Sequence, residues 1–356
     1  VTTSTKVLQS SSATDVSIAS TASVTLSFSG TNTVHSLTLG GALQRRGTWG
    51  ASGSGAKFTS SQFSGTGLLL VSTGSAETYT WNVGDGAWDL ATANWADGGT
   101  VWEDDNNAVF ANQSGATAIT VGGPRNAIAV KVGDGSNNAN YTFSSGASGS
   151  LSAVSFLVQG NISNGPDAGL STPATLDNLT MNTAGNMGVG RWSLAIGGSS
   201  AVSVGGVIGG GGIVGSPDWA TLTIRDSATV TAVGGVNGNT EAWSLNLNGG
   251  TLITKSIQAS DRESDGTALL TFNGTIVKPT QDSDDFVTVG DNWHSTGSAW
   301  IGDNGAVFDT DGKNIAVRVN LQPSGSGGLT KQGDGMLTLA GSNTFVGATA
   351  VSGGTL

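Results

Sequence analysis

The chain has no cysteine and only two histidines, His35 and His294, far apart in sequence. A disulfide framework and a thiolate metal site are therefore excluded, and a histidine relay has little material. Charge is also scarce, at 11% of residues against about a quarter in ordinary globular chains. The balance is −11 with 14 basic residues, so the basic stripe that neutralises nucleic-acid phosphates is missing. No apolar run approaches the roughly 18 residues of a membrane-spanning helix. The sequence opens at Val1 without a start Met or a signal-peptide pattern, and reads as a processed or excised part of something longer.

What is present is glycine, 57 of 356 residues, more than twice the usual share, with Ser, Thr, Asn and Ala. Such a composition can mean disorder. The ten Trp, ten Phe and recurrent short apolar runs argue against it. Gly or Pro interrupts nearly every window of helical length. Period-two alternation is frequent: Val24, Leu26 and Phe28; Leu222 and Ile224; Leu245 and Leu247; Leu270 and Phe272. Each run spans a few residues and ends at Gly, Asn or Asp, the pattern of short strands with tight turns.

The runs echo one another. LNLNGGTL at 245–252 aligns with LTFNGTI at 270–276, NGAVF at 304–308 follows, and LTLAGSNTF at 337–345 resembles VTLSFSGTNTV at 24–34. A unit this small cannot bury its apolar face alone, but stacked coils can. Leu245, Leu247, Leu270, Phe272, Leu337 and Leu339 are expected to point into a common core. Gly250 and Gly274 are expected at turns, where positive φ is cheap for glycine. Soft points are expected at 72–79, at the glycine run 205–212 and at 324–328. After the first, Trp81, Trp88, Trp95 and Trp102 recur every seven residues, with GDG and DGG between them excluding a coiled coil.

Residues 327–356 read GGLTKQGDGMLTLAGSNTFVGATAVSGGTL. Leu329, Lys331, Gly333, Gly335, Leu337, Leu339, Gly341, Asn343, Phe345, Gly347, Thr349 and Leu356 match the autotransporter-associated β-strand repeat, also called the passenger-associated transport repeat. Residues 29–71 are similar to the segment that closes such units, and TWNVGDGAWDLATANW at 80–95 resembles the segment that opens them. The resemblance implies a large exported bacterial protein with a β-helical extracellular region.

Several groups invite a chemical reading. Paired acids would suit a polysaccharide-cleaving solenoid; the candidates are Glu103 to Asp105, the trio Asp261, Glu263 and Asp265, and the trio Asp282, Asp284 and Asp285. No basic cluster surrounds them to tune their pKa values, so they read as solvated turns. DTDGKN at 309–314 looks like a calcium turn but lacks the remaining ligands of a calcium loop. The GxSxG-like matches at 50–55 and 324–328 lack the strand and helix of a nucleophile elbow. His35 and His294 have no evident Ser or Asp companion. Trp81, Trp88, Trp95 and Trp102 offer faces for sugar stacking, weighed against burial as a packing layer.

The fold expected is all-β, a right-handed parallel β-helix with a Trp-rich opening segment. Residues 1–74 close one unit, 75–111 open the next, 112–326 form the body, and 327–356 carry the repeat motif. No catalytic residue, cofactor or metal is expected. The function expected is a structural surface fibre or stalk; an adhesin using the Trp segment to bind surface glycans, or a solenoid carbohydrate-active enzyme, are the alternatives. The tail, VSGGTL, reads naturally into the head, VTTSTKVLQ, so Leu356 of one copy is expected beside Val1 of the next, with the 356 residues as one period of a linear assembly.

Overall fold

The structure is a computed structural model that describes residues 14–74, 76–96, 101–111, 115–133, 140–159, 174–190, 193–209, 220–237, 243–259, 269–289 and 298–356. Among the described residues every regular element is a β-strand, and no helix is long and apolar enough to cross a membrane. The chain divides into two compact units, Val1–Thr78 and Tyr79–Leu356.

The C-terminal unit is a parallel β-solenoid in which 28 strands among the described residues form one hydrogen-bonded network. A coil has three faces, carried by three strands or by two where one long strand turns a corner. One coil runs Ser298–Ile301, Ala306–Asp309 and Ile315–Val317; the next runs Asn320–Pro323, Leu329–Gln332 and Leu337–Leu339. Each strand lies parallel to its counterpart one coil on, so that Ala299 faces Leu321, Ala306 faces Leu329 and Ile315 faces Leu337. Alternation sends every second side chain inward. The inward residues then stack into columns: Phe143, Leu176, Ile196, Ile224, Leu247, Phe272 and Ile301 succeed one another in unbroken register, all buried.

The six residues expected in the core point inward. Leu245, Leu247, Leu270, Phe272 and Leu337 are buried, and Leu339, near the last coil, is half-buried against the same core. Gly250 and Gly274 have φ of 70° and 93°. Gly274 sits in a turn, whereas Gly250 turns a corner inside the long strand Trp243–Thr254. The two glycine-rich soft points are also corners. The described part of 205–212 carries the stacked strand Ile208–Gly209, and 324–328 joins two strands of one coil, with the stack passing through it.

The N-terminal unit is a shorter piece of the same architecture. Strands β1 (Asp15–Ile18), β2 (Val24–Leu26) and β3 (Thr31–Val34) make one coil. Strands β4 (Ser36–Leu39), β8 (Phe63–Gly65) and β9 (Leu68–Val71) make the next, each parallel to its counterpart. Between β4 and β8 the chain inserts β5 (Ala42–Leu43), β6 (Gly47–Gly50) and β7 (Phe58–Thr59). Here β5 runs antiparallel to β4, and β6 antiparallel to β9. Leu26, Leu37, Trp49, Phe63 and Leu69 form a separate core.

Candidate functional site

The first candidate is the Trp segment, which starts the C-terminal solenoid through β10 (Thr78–Trp81), β11 (Gly86–Trp88), β12 (Trp95–Ala96) and β13 (Asn106–Phe110). β12 folds back antiparallel on β10, setting Trp81 opposite Trp95. All four Trp side chains are buried, at 3% exposure or less. Their rings meet mostly edge to face, with centroids 5.0–5.4 Å apart for Trp81–Trp95, Trp88–Trp95, Trp88–Trp102 and Trp95–Trp102. Trp81, Trp88 and Trp95 all rest on Phe110, and Phe110 rests on Tyr141 and Phe143 of the following coils. Trp81 Nε1 donates to the Gly84 carbonyl at 3.0 Å and Trp102 Nε1 to Asp104 Oδ1 at 2.9 Å. Trp88 and Trp95 Nε1 have no acceptor. The segment is thus an aromatic plug over the first coil. The expectation that these rings could stack on sugars is corrected by their burial, which leaves no ring face open.

The acidic candidates serve turns. Asp104 accepts from the backbone N–H of Asn126 at 3.0 Å as well as from Trp102. Asp282 accepts from the backbone N–H of Asn314 at 2.9 Å, one coil on. Arg318 pairs with Asp285 and donates to the Asp284 carbonyl. Asp261, Glu263 and Asp265 lie outside the described residues, as does His294. In DTDGKN, Asp309 is 2.7 Å from Lys278 Nζ. That bond holds the Asp309 carboxyl below the usual carboxylate range and raises the Lys278 ammonium. A lysine therefore occupies the place a cation would take. Among the described residues no three His, Asp or Glu side chains gather as a metal site.

His35 does have companions, contrary to the reading of the sequence. Its Nδ1 lies 2.8 Å from Asp15 Oδ1, and Ser36 Oγ donates to that same oxygen. Hydrogen bonds from Ser36 and His35 hold the Asp15 carboxyl low. The order is wrong for a nucleophile relay, because the carboxylate, not the imidazole, is bonded to the hydroxyl. Stacking of β1 on β4 brings these three residues together across 20 positions of sequence.

The last candidate is the repeat motif and the coil it ends on. Leu329, Lys331 and Leu337 all point inward and are buried. Lys331 is fully covered, and burial pulls its ammonium down from the ordinary value. Its Nζ lies 2.7–3.0 Å from Thr310 Oγ1 and the carbonyls of Gln332, Gly333 and Gly353, four acceptors that share its three N–H groups. One cation thus ties three successive coils at a corner. Gly335 is required by close approach, since a Cβ there would stand 1.8 Å from the Lys313 carbonyl oxygen. Asn343 Oδ1 accepts from the Leu321 backbone at 3.0 Å and its amide donates to the Gly341 carbonyl.

The final strand, Thr349–Val351, stacks on Leu329–Gln332, placing Val351 over Lys331. Met336 bridges Thr355. In this coil the burial fails: Val351 is 49% and Leu356 45% exposed, although Leu329, Lys331 and Leu337 one coil below are fully buried. Among the described residues no strand covers the far edge of Thr349–Val351.

Comparison with known proteins fits this geometry. The passenger-associated-transport-repeat model matches residues 329–356. The adhesin BmaC autotransporter of Brucella suis biovar 1 (strain 1330) is 31% identical over 150 residues, which is 40% of this chain and 4% of that protein's length. No solved structure matches. The buried Leu329, Lys331 and Leu337, the close-packed Gly335 and the bonded Asn343 lie in the segment that matches the passenger-associated-transport-repeat model, carried on a β-solenoid.

Proposed function

We propose that the protein is a structural component of the bacterial surface, a β-solenoid that continues head to tail from copy to copy into a fibre or stalk, and that it is not an enzyme. The observation that supports this reading is the unbroken parallel stacking of the coils, in which each coil buries its apolar residues against its neighbours. An uncovered solenoid end offers unpaired strand edges and an apolar cross-section to a neighbour. A contact between unlike ends does not close on itself, so it propagates. The neighbour is either the next stretch of the same polypeptide or a separate subunit. The repeat match and the autotransporter relative support a place outside the cell.

Adhesion is the second reading, favoured by the name of the Brucella relative. With the Trp rings buried, it would rest on the outer faces of the solenoid. There Ser152, Asn182, Ser203 and Thr231 form an uncharged row in register over four strands.

Electron microscopy of the producing cells and of material shed from them tests the proposal. The expected result is a thread at the cell surface. Discrete particles with no linear order would overturn it.

A further inference from the structure

We infer that one outer face of the C-terminal solenoid, built from residues 150–152, 180–182, 201–203 and 229–231, is a groove that binds an uncharged glycan chain laid along the solenoid axis, across the strands. This rests on the adhesion reading above and names its ligand and its place.

The face encloses about 360 Å³, within the roughly 300–1,000 Å³ usual for ligand sites. Alternation along its strands produces it. Leu151, Met181, Val202 and Val230 point into the core and are buried, so the residues on either side of them point out. Those outward residues are small. Thr180, Ala201 and Thr229 stack as one row, and Ser152, Asn182, Ser203 and Thr231 as the row beside it. The next outward position along each strand lies at a corner of the coil. Val154 and Val233 stand there, 55% and 53% exposed, with Ala184 and Gly205 between them. The groove thus carries polar groups along its length and two apolar posts on one rim.

Those polar groups are unengaged. At the corners of the same coils, hydroxyls bond from one coil to the next: Ser199 donates to Asn178, Ser227 to the Gly198 carbonyl and Ser326 to Asp303. In the groove, the side chains of Ser152, Asn182, Ser203 and Thr231 make no hydrogen bond among the described residues. Three hydroxyls and one amide therefore present donors and acceptors in register, at the strand spacing of about 4.8 Å.

Charge and polarity select the occupant. No Lys, Arg, Asp or Glu lines the groove. An ionic ligand would lose water there without gaining a counter-charge, and an anionic polymer is also repelled by a chain of net charge −11. A purely apolar ligand would cover the hydroxyls and leave them unpaired. A neutral glycan meets each condition. Its hydroxyls exchange hydrogen bonds with the rows, its C–H faces rest on Val154 and Val233, and its sugar units repeat at close to the spacing of the strands. Four strands span about 14 Å, room for about three sugar units. The polar row stops where Ile253 takes the position after Thr231. No aromatic ring lines the groove, so binding lacks ring stacking and is weak at a single site.

Saturation-transfer NMR on the full chain tests this, with cellotetraose, laminaritetraose, maltotetraose, mannotetraose and chitotetraose as neutral probes and tetragalacturonate as the anionic one. At least one neutral tetrasaccharide should bind, and tetragalacturonate should not. Ser203→Glu charges the groove and Ala201→Trp fills it. Each should weaken the bound tetrasaccharide about tenfold or more, while Gln258→Glu, exposed on another face, should change it less than about twofold. Thermal melting confirms that each variant is folded, and if one fails the other still reads the groove. No binding of any neutral probe, equal binding of tetragalacturonate, or unchanged binding in the folded groove variants would overturn the inference. Cells that adhere equally with the natural and the Ser203→Glu chain would overturn the groove and leave adhesion standing. Cells that never adhere, although the purified chain binds a tetrasaccharide through Ser203, would sink the adhesion reading and leave the groove.

Discussion

The two ends of the C-terminal solenoid solve the same problem in opposite ways. At its start, four Trp rings and an antiparallel strand cover the first coil, and the large side chains there are buried. In the last described coil, Val351 and Leu356 are open. Both ends are built from residues of a repeating strand pattern, so the pattern alone does not decide whether an end is closed. What decides is whether bulky aromatics and a reversal of strand direction follow.

That contrast can be broken most severely in the middle, where both ends depend on an intact column. Leu247→Asp would bury an unpaired carboxylate between Ile224 and Phe272. It is expected to cost several kcal/mol, about 4 or more, and to unfold the solenoid in urea titration. At the closed end, Trp88→Ala should cost about 3–5 kcal/mol through the cavity it leaves in the plug. Trp88→Phe should cost much less, because the indole N–H it removes has no acceptor to lose.

Near the last coil, Lys331→Ala should cost about 3 kcal/mol, as it takes the ammonium from the Gly333 and Gly353 carbonyls and leaves a cavity, while the Thr310 hydroxyl keeps its bond to the Gln332 carbonyl. One turn of the stack away, Asp309→Asn should cost at most about 1 kcal/mol, since its partner Lys278 is partly exposed. The sign with pH follows from the lowered carboxyl and the raised ammonium. The advantage of the natural protein over Asp309→Asn is present at neutral pH. It is lost as pH falls from 3.8 through the lower folded value, and lost again as pH rises above 10.5. Thermal melts across pH would check this. Val351→Asp is expected to change the stability of the isolated chain least, within about 0.5 kcal/mol, because the side chain is already half in water.

Alternation and echo made the columns legible. The spacing of LNLNGGTL and LTFNGTI gives the observed pairing of Leu245 with Leu270 and of Leu247 with Phe272. The echo fails by one residue past the corner, where Leu252 stacks on Val277 and Ile276 turns outward. Two glycines, Gly249 and Gly250, stand in the first copy where only Gly274 stands in the second. The Trp segment announced a packing layer, but its spacing of seven could not separate a buried plug from an exposed platform. That difference lies in β12 turning back on β10, a long-range event. The insertion at β5 and β6 left no signal, since strands of two and four residues show no period. Lys331 was visible only as a motif position; its place in the core follows from parity with Leu329, which hydropathy hides. The contact of His35 with Asp15 arises from coil stacking and has no local trace.

The central proposal is that the solenoid associates end to end with further copies of itself. Sedimentation velocity of the natural chain and of Val351→Asp, across a range of concentrations, tests it most directly. The account predicts that the natural chain sediments progressively faster as it is concentrated, while Val351→Asp, with an unchanged melting temperature, remains a single 35.3 kDa species. Identical behaviour of the two proteins would contradict it.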